Sequence, residues 1–542
     1  METITIVLVM LLAVVVSGVA ARLLPIKIPL PLVQIAFGAA IGSVSGWRVV
    51  LDPDIFFLLF LPPLLFLDGW RIPPEDLSKD AGTIAELALG LVIFTVLGMG
   101  YFINWMIPSM PLAVAFALAA VLSPTDPIAV TAIAQRVPIP KRMMHILEGE
   151  SMLNDASGLV CLRFAIAAAL TGTFSLQSAT LTFLWVAIGG LAVGFILTWV
   201  VTRAKNWVSE RLGEESASQI LISLLIPFGA YLLAEHLHCS GILAAVAAGL
   251  TMGWAEGRGH AQAATRVSRR TVWDIIQFTA NGAIFVLLGE QLPRIVASAT
   301  DTVQITGHSE AWWLLAYILG INIALAAMRF VWVWVSFRFT LRRRGSSTSR
   351  PNWRIVGAMS FAGVRGAITL AAILTLPFTM PDGSPFPARD LAILLAMGVI
   401  IVSLIVASVG LPWLLRDLEM PPQPAAAEEE ANARMVIAQA AVAELERLGR
   451  ERAKDGGDVD TYVGVAAEVI QAYRAWLHRL ERKEMTIENQ RELQLIERDL
   501  RIAAIRAERA AVVKMRRRRE IGTQLAKKLT RELDLLETRY AG

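Results

Sequence analysis

Residues 147–162 read LEGESMLNDASGLVCL, a stretch that combines acidic residues with apolar ones. The residues on both sides are apolar enough to lie in a lipid bilayer, yet Glu148, Glu150 and Asp155 fall within about two helical turns. A carboxylate at the bilayer centre costs roughly 2.5 to 3.5 kcal/mol on insertion scales, so chains keep one there where it pairs or functions. The stretch therefore predicts a buried polar site inside a membrane helix, in preference to a solvated helix end.

Helical spacing arranges the polar residues of this stretch in two rows. Residues three and four positions apart share a helix face, which places Glu150 next to Asn154 and Ser151 next to Asp155. Carboxylate, carbonyl and hydroxyl oxygens are the ligands that small hard cations prefer, whereas soft metals favour cysteine or histidine. The two rows predict a site for protons or alkali cations.

Apolar runs recur along most of the chain, which has 542 residues, 55% of them hydrophobic, and a mean hydropathy of +0.56. Runs of about 20 residues cross a hydrocarbon core about 30 Å thick, so the sequence predicts an all-α polytopic membrane protein with about thirteen transmembrane helices. The predicted limits of these spans are 4–24, 28–46, 53–70, 81–105, 111–136, 143–170, 180–202, 216–237, 239–256, 271–292, 311–338, 353–377 and 387–415. The first has no basic segment before it, which favours a span over a signal peptide.

Basic residues are divided unevenly between the loops of this topology. Of the lysine and arginine residues in the predicted loops, nearly all lie in alternate loops, including Arg269 before the tenth span. The intervening loops hold only Arg48, Arg294 and Arg389. Because basic loops stay in the cytoplasm, the N-terminus is predicted outside and the C-terminus inside. The predicted location is the cell inner (plasma) membrane.

The composition changes after Pro421 to alanine, glutamate, arginine and leucine, which favour helices. The predicted domains are a transmembrane domain, 1–416, and a cytoplasmic helical regulatory tail, 417–542, interrupted near residues 455–458. The net charge of +4 does not predict nucleic-acid binding, because the basic residues lie largely in short loops and in the tail. Cys161 and Cys239 lie in apolar segments and predict neither a disulfide framework nor a zinc site.

Two of the predicted spans contain features that interrupt a helix. Residues 123–127 read SPTDP, and two prolines three residues apart remove backbone donors and clash with preceding carbonyls. Residues 363–367 read GVRGA and place an arginine between glycines in an apolar run. Unwound backbone is tolerated in a bilayer where it lies within protein or lines a wet cavity. With the seventh span as a linker, two inverted repeats of six helices would make these broken helices cross.

Further charges in the apolar runs predict buried ion pairs. Buried arginine binds carboxylates in a bidentate manner, so Arg329 and Arg365 are predicted to pair with buried acids. The acids available to them are Glu148, Glu150 and Asp68. Glu290 is predicted near an aqueous boundary, and Arg163 has two alternatives, pairing in the core or extending to the membrane surface.

Four motifs together resemble the sodium/proton exchanger branch of the monovalent cation/proton antiporters, particularly its bacterial NhaP-like members. They are LPPLLFLDG (61–69), SPTDPIAV (123–130), EGESMLNDASGLV (148–160) and GVRGAITLA (363–371). The resemblance covers roughly residues 1–415. It implies a homodimer in which a mobile core bundle moves against a static interface bundle.

The resemblance also implies an ion-binding set. The ion-binding aspartate of the family falls on Asp155, with Asn154 beside it and Ser151 as a further ligand. The broken-helix pair falls on Thr125 and Asp126, where the backbone carbonyl of Thr125 would face the ion. The resemblance therefore implies Na⁺ at Asp155, Ser151 and Thr125.

Structural ion pairs follow from the same resemblance. The glutamate that precedes the serine ligand falls on Glu150, which in the family pairs with an arginine of the eleventh span, here Arg329. Arg365 matches the second arginine of the family. Asp68 stands where the family usually has glutamate, so its side chain is shorter than the one expected there.

The predicted function is sodium/proton antiport by alternating access, serving pH and sodium homeostasis. The protein would be a secondary active transporter and not an enzyme, with no cofactor; its cargo is H⁺ and Na⁺, with Li⁺ or K⁺ in its place as alternatives. Burial favours the neutral acid of Asp155 whereas a bound cation favours the carboxylate, so the two ligands exclude each other. Exchange is predicted to be one-for-one and electroneutral, because Asn154 cannot titrate where two-proton exchangers have a second acid.

Three other functions compete with this one. Potassium/proton antiport fits the same residues and stays open as the alternative. A cation channel would require a continuous polar path, whereas this chain has one acidic cluster between two broken helices. An intramembrane enzyme would require a catalytic constellation such as GxSxG or HExxH, which the sequence lacks.

Overall fold

The structure is a computed structural model of the whole chain. It describes residues 2–24, 28–44, 53–71, 82, 86–126, 141–171, 176–256, 262–297, 310, 312–343, 353–415, 424–454, 467–471, 474, 487–518 and 520–541. Pro127, the side chain of Glu148 and the predicted interruption of the tail at residues 455–458 lie outside the described residues.

Helices account for nearly all of the described residues, which fall into two compact units. The first unit, residues 1–418, contains α1 (Glu2–Leu23), α2 (Leu30–Val44), α3 (Pro53–Arg71), a π-helical turn (Glu86–Gly90), α4 (Leu91–Met106), α5 (Leu112–Leu122), α6 (Lys141–Thr171), α7 (Leu176–Leu212), α8 (Ser216–His236), α9 (Gly241–Glu256), α10 (Ala263–Ala297), α11 (Trp312–Arg343), α12 (Trp353–Phe361), α13 (Ala367–Leu374) and α14 (Arg389–Leu415). The second unit, residues 419–542, contains α15 (Pro424–Lys454), α16 (Ile487–Arg517) and α17 (Thr523–Ala541).

Apolar composition marks most helices of the first unit as membrane helices. Within the described residues, seven helices are long and apolar enough to cross a membrane, namely α1, α6, α7, α8, α10, α11 and α14. Helices α2, α4, α5 and α9 are shorter and also apolar. The predicted all-helical, polytopic membrane fold is confirmed, while the exact number of spans and the regulatory role of the tail stay predictions.

Two helices continue well beyond their predicted limits. α7 ends at Leu212 rather than at residue 202, and α10 begins at Ala263 rather than at residue 271. Hydropathy marks where apolar residues end, whereas helix-forming residues continue the helix through the charged turns beyond. The prediction that Arg269 lies in a loop is therefore wrong. Its side chain is fully buried in α10 and pairs with Glu256 of α9, with Nη2 and Oε1 2.6 Å apart.

The membrane helices form two bundles. Helices α1 to α3 and α7 to α10 pack mainly on one another and make up the first bundle, whereas α4 to α6 and α11 to α14 make up the second bundle. Contacts between the bundles are sparser, and α3 and α10 make many of them with α6 and α13. This boundary divides the first unit into two tightly packed bundles with a loosely packed interface.

The two predicted helix interruptions are present and meet each other. α5 ends at Leu122 and residues 123–126 are not helical; α12 ends at Phe361 and residues 362–366 are not helical. The backbone N–H of Asp126 donates a hydrogen bond to the carbonyl of Val364 at 2.7 Å. The unwound segments therefore cross, and each satisfies a backbone group that the other has freed.

Helices α2 and α10 pack with their backbones in close contact. A Cβ atom added at Gly38 of α2 would overlap the carbonyl of Val286, and one added at Gly289 of α10 would overlap the carbonyl of Ile35. Small residues spaced along membrane helices permit this close approach, which replaces the hydrophobic driving force absent from lipid. The first bundle is therefore held together by backbone packing at this helix pair.

Gly38→Ala should lower the melting temperature of the protein, because the added methyl group must push α2 away from α10. Overpacking of this kind costs roughly 1 to 3 kcal/mol in protein cores. Gly229→Ala is the matched control, since a Cβ atom there would make only ordinary contact with Leu197 at 3.5 Å. Thermal unfolding of both purified variants in detergent measures the difference, and equal melting temperatures would contradict the packing argument.

Candidate functional site

A cavity of about 30 Å³ lies at the boundary between the bundles, beside the crossing of the broken helices. A cavity of this size holds about one or two water molecules, or one small ion with little of its hydration shell. The second bundle lines it with residues of α6 and of both unwound segments, and the first bundle with residues of α3 and α10. Both bundles therefore contribute to one site.

Four of the five predicted ion-binding residues line this cavity: Thr125, Asp126, Ser151 and Asp155. Ser151 and Asp155 lie one turn apart on α6 and are buried, with exposed fractions of 4% and 3%. Unwinding after α5 brings Thr125 and Asp126 against them. The cavity thus offers carboxylate and hydroxyl oxygens, which bind protons and hard cations.

Asn154, the fifth predicted residue, lies next to the cavity lining rather than in it. Its side-chain amide donates a hydrogen bond to the hydroxyl of Thr125 at 3.0 Å. Its Oδ1 atom is buried and has no hydrogen-bond partner among the described residues. Asn154 therefore holds Thr125 in place and leaves one amide oxygen without a hydrogen bond beside the site.

Gly366 permits the second unwound segment to approach the first. It lines the cavity, and a Cβ atom added there would overlap the carboxylate of Asp126. Any other residue at this position would have to displace Asp126 from the cavity. This explains in physical terms why the segment GVRGA has glycine after its arginine.

Glu150 and Arg329 form a bidentate ion pair inside the second bundle. Arg329 of α11 donates from Nη1 and Nη2 to the two carboxylate oxygens of Glu150 at 2.5 and 2.8 Å, and from Nε to the carbonyl of Met359 at 2.9 Å. The hydroxyl of Thr125 lies 3.5 Å from Glu150 Oε1. The pair thereby connects α6, α11 and α12 with the unwound segment that lines the cavity.

Arg365 binds backbone carbonyls rather than a carboxylate among the described residues, which corrects its predicted role in an ion pair. Its Nε atom donates to the carbonyl of Leu122 at 2.9 Å, and Nη1 donates to the carbonyl of Gly363. Leu122 is the last residue of α5, so its carbonyl has no helical partner. A guanidinium group with five donors satisfies such carbonyls in the membrane interior.

Asp68, grouped from the sequence with the structural ion pairs, lines the cavity from α3 of the first bundle. Two further lining residues, Gln277 and Asn281 of α10, are not predicted from the sequence pattern. Gln277 accepts a hydrogen bond from Nη1 of Arg71 at 2.6 Å, whereas Oδ1 of the buried Asn281 has no partner among the described residues. Their spacing of one helical turn puts both on one face of α10, but which helices that face meets depends on how the bundles dock.

Arg163, for which two alternatives were open, forms an ion pair with Glu235 of α8. Its Nη2 atom lies 2.7 Å from Glu235 Oε1, and the two side chains are 46% and 34% exposed. The pair joins α6 of the second bundle to α8 of the first at a partly exposed position. Glu290 is half-buried in the part of α10 that packs on α2.

The fold and the site define a class of protein. Two interrupted helices cross within the membrane unit, and a buried acidic cavity lies beside them between two bundles. Broken helices that place a site between movable bundles are the arrangement of secondary transporters. Carboxylate and hydroxyl oxygens line the cavity, and such groups bind protons and hard cations.

Comparisons with known proteins give the family. The family model described as "Sodium/hydrogen exchanger, transmembrane" matches residues 7–417. A Na⁺/H⁺ exchanger of Escherichia coli K12 is 41% identical over 543 residues, covering 99% of this chain and 98% of that protein. A sodium, potassium, lithium and rubidium/H⁺ antiporter of Bacillus subtilis is 37% identical over 547 residues, covering 100% of this chain and 78% of that protein.

A solved structure agrees with this assignment at the level of the fold. The sodium proton antiporter MjNhaP1 of Methanocaldococcus jannaschii superposes with a TM-score of 0.59 at 19% identity, covering 77% of this chain and 99% of that one. The chain belongs to the sodium/hydrogen exchanger family, and its function is Na⁺/H⁺ antiport across a membrane that it crosses several times. The resemblance predicted from the motifs is confirmed.

Arg329→Ala should destabilise the protein strongly, because it strands the buried carboxylate of Glu150; breaking a buried pair costs roughly 3 to 5 kcal/mol in soluble proteins. Arg163→Ala is the control, since a partly exposed pair contributes about 0 to 1 kcal/mol. The double variant Arg329→Ala/Glu150→Ala should recover part of the loss. Melting temperatures in detergent measure all three, and the prediction is wrong if Arg329→Ala melts no lower than Arg163→Ala.

Proposed function

We propose that the protein exchanges one Na⁺ for one H⁺ without net charge movement, by alternating access, in the plasma membrane. The observation that carries this proposal is the position of Asp155, a carboxylate 3% exposed on a small cavity that both bundles share. The orientation, with the N-terminus outside and the C-terminus in the cytoplasm, is supported by the basic loops. The physiological role that follows is pH and sodium homeostasis.

Coupling follows from competition at Asp155. A buried carboxyl group favours its neutral, protonated form, whereas a bound cation favours the carboxylate, so the group carries either a proton or a cation. Ser151 and Thr125 supply further oxygen ligands from the second bundle, and Asp126 of the unwound segment contributes a second acid to the cavity. An empty, charged Asp155 is disfavoured in the membrane, which suppresses movement without cargo.

Movement of the second bundle against the first would expose the cavity to alternate sides. Within the second bundle the ligands are tied together through the Glu150–Arg329 pair and the Asn154–Thr125 hydrogen bond, so they move as one body. Asp68 and Asn281 belong to the first bundle and would meet the cargo in one arrangement of the bundles only. A homodimer that holds the first bundles together would provide the static frame.

The charge balance rests on the residues that do not titrate. Asn154 offers an oxygen and two N–H donors but no proton to exchange. Glu150 binds Arg329 with both of its oxygens and does not line the cavity, so the proposal gives it no part in the exchange. With Asp68 and Asp126 unchanged through the cycle, one proton leaves Asp155 for each cation that binds, and the net charge moved is zero.

Potassium/proton antiport is the second candidate, and a specific observation favours it. The relatives of Bacillus subtilis and Bacillus pumilus are named as sodium, potassium, lithium and rubidium/H⁺ antiporters, at 37% and 39% identity. Dissipation of a pH gradient in proteoliposomes, measured for each alkali cation in turn, separates the candidates. Sodium should give the largest response at the lowest concentration; a larger response to potassium would favour the alternative.

Asp155→Asn should abolish cation-driven proton movement while the protein still folds, because the amide keeps the shape and removes the titrating charge. Loss should reach the background of empty vesicles in the same pH-gradient assay. Asp390→Asn is the control, since this acid is 81% exposed at the start of α14 and should leave exchange unchanged. Sodium-driven exchange by Asp155→Asn above that background would refute the role of Asp155.

Sodium-driven exchange should proceed at the same rate whatever the membrane potential, because no net charge crosses. Potassium and valinomycin clamp the potential of the proteoliposomes, and a proton ionophore confirms that each clamp is effective. For comparison, each elementary charge crossing 100 mV changes the free energy by about 2.3 kcal/mol. A rate that responds steeply to the clamped potential would mean that a second group titrates, with Asp126 and Asp68 the first to test.

A further inference from the structure

A second cavity, of about 220 Å³, lies in the first bundle between the C-terminal parts of α7 and α9. Trp199, Trp207 and Trp254 line it, together with the charged side chains of Arg203 and Glu210. Aromatic and basic residues at the end of a membrane helix are typical of the boundary between hydrocarbon and headgroups. The last turns of α7 carry Arg203, Lys205 and Arg211, and the positive-inside rule predicts that such a basic helix end lies at the cytoplasmic surface.

Four polar side chains that line this cavity lack protein partners among the described residues, namely Thr202, Arg203, Asn206 and Glu210. Among the described residues, Arg203 and Glu210 have no ion pair with each other or with another residue, and the Asn206 side chain has no hydrogen bond. Thr202 is only 8% exposed, and its hydroxyl has no hydrogen-bond partner among the described residues. A buried hydroxyl beside two opposite, unpaired charges indicates a site that is completed by a ligand.

The surface beside the cavity exposes apolar side chains of α7. Along the preceding turns of α7, apolar side chains point outward, among them Phe195, Ile196 and Trp199, which are 48%, 57% and 49% exposed. Towards the end of the helix the same face becomes polar at Arg203, Asn206 and Glu210. An amphipathic molecule with hydrocarbon tails above and a polar group below matches this gradient.

We propose that this cavity binds the headgroup of phosphatidylethanolamine, a zwitterionic phospholipid. The phosphate would accept hydrogen bonds from Arg203, Asn206 and Thr202, and the ammonium would lie against Glu210 and the faces of the tryptophans. The acyl chains would run along the apolar face of α7. This inference does not depend on the transport mechanism, since none of these residues lines the ion cavity.

Charge complementarity selects this headgroup over others. Arg203 and Glu210 stand seven residues apart on one face of α7, about 10 Å along the helix, and together they carry no net charge. Phosphatidylglycerol would leave Glu210 beside an anion with no cation. Phosphatidylcholine has a cation without N–H donors, so it would fill the tryptophan side and form no hydrogen bond with Glu210.

The test measures lipid retention on the delipidated full-length protein by native mass spectrometry, with phosphatidylethanolamine, phosphatidylglycerol and phosphatidylcholine of identical acyl chains added separately. Phosphatidylethanolamine should be retained best, about tenfold over the other two. Inorganic phosphate and soluble phosphoethanolamine form two further arms; neither should compete at equal concentration, because they lack the acyl chains. Equal retention of the three lipids would overturn the proposal without any variant.

Two variants separate the roles of the charges. Arg203→Gln should lower retention of phosphatidylethanolamine about tenfold, whereas Glu210→Gln should remove its advantage over phosphatidylglycerol. Arg163→Gln is the matched control, because the same substitution is made in the second bundle at a partly exposed arginine that does not line this cavity. Unchanged lipid preference in both Arg203→Gln and Glu210→Gln would refute the site. The site would also be refuted if the protein forms dimers without added lipid and the Arg203→Gln variant does not. That result would assign the surface to a second copy of the chain.

Discussion

The interior of a bilayer has no water to satisfy backbone groups, and each helix interruption frees several of them there. An unsatisfied buried group costs about 1 to 3 kcal/mol. The two interruptions compensate each other: Asp126 donates its N–H to the carbonyl of Val364, and Arg365 caps the carbonyl of Leu122. The cavity depends on this exchange, because Thr125 and Asp126 are held at it only while the unwound segments stay crossed.

Two buried acids of the second bundle differ in what they contact. Glu150 has both oxygens bound to Arg329 and does not line the cavity, so its charge holds helices together. Asp155 lies one to two turns further along the same helix, and its carboxyl group lines the cavity. Four residues of helix therefore separate a carboxylate bound in an ion pair from the carboxyl group to which the proposal assigns the exchange of proton and cation.

Local patterns predicted most of what lies within single helices. The spacing of Ser151 and Asp155 on one helix face, and the prolines around Thr125, require only local rules, and the structure places these residues on one cavity. Gln277 and Asn281 depend instead on how the bundles dock, which no local pattern contains. Arg269 was misplaced for a related reason: a charged turn at a helix end looks solvated until a partner from another helix covers it.

The distribution of ion pairs suits a protein whose bundles move. Glu150–Arg329 is buried inside one bundle, where breaking a pair is costly, and Arg269–Glu256 joins two helices of the other bundle with the arginine fully buried. Among the described residues, Arg163–Glu235 is the ion pair that joins the two bundles, and it is partly exposed. Water screens such a pair, so separating it costs about 0 to 1 kcal/mol. The strong electrostatic contacts thus lie within each bundle, and the contact between the bundles is weak, as the movement proposed above requires.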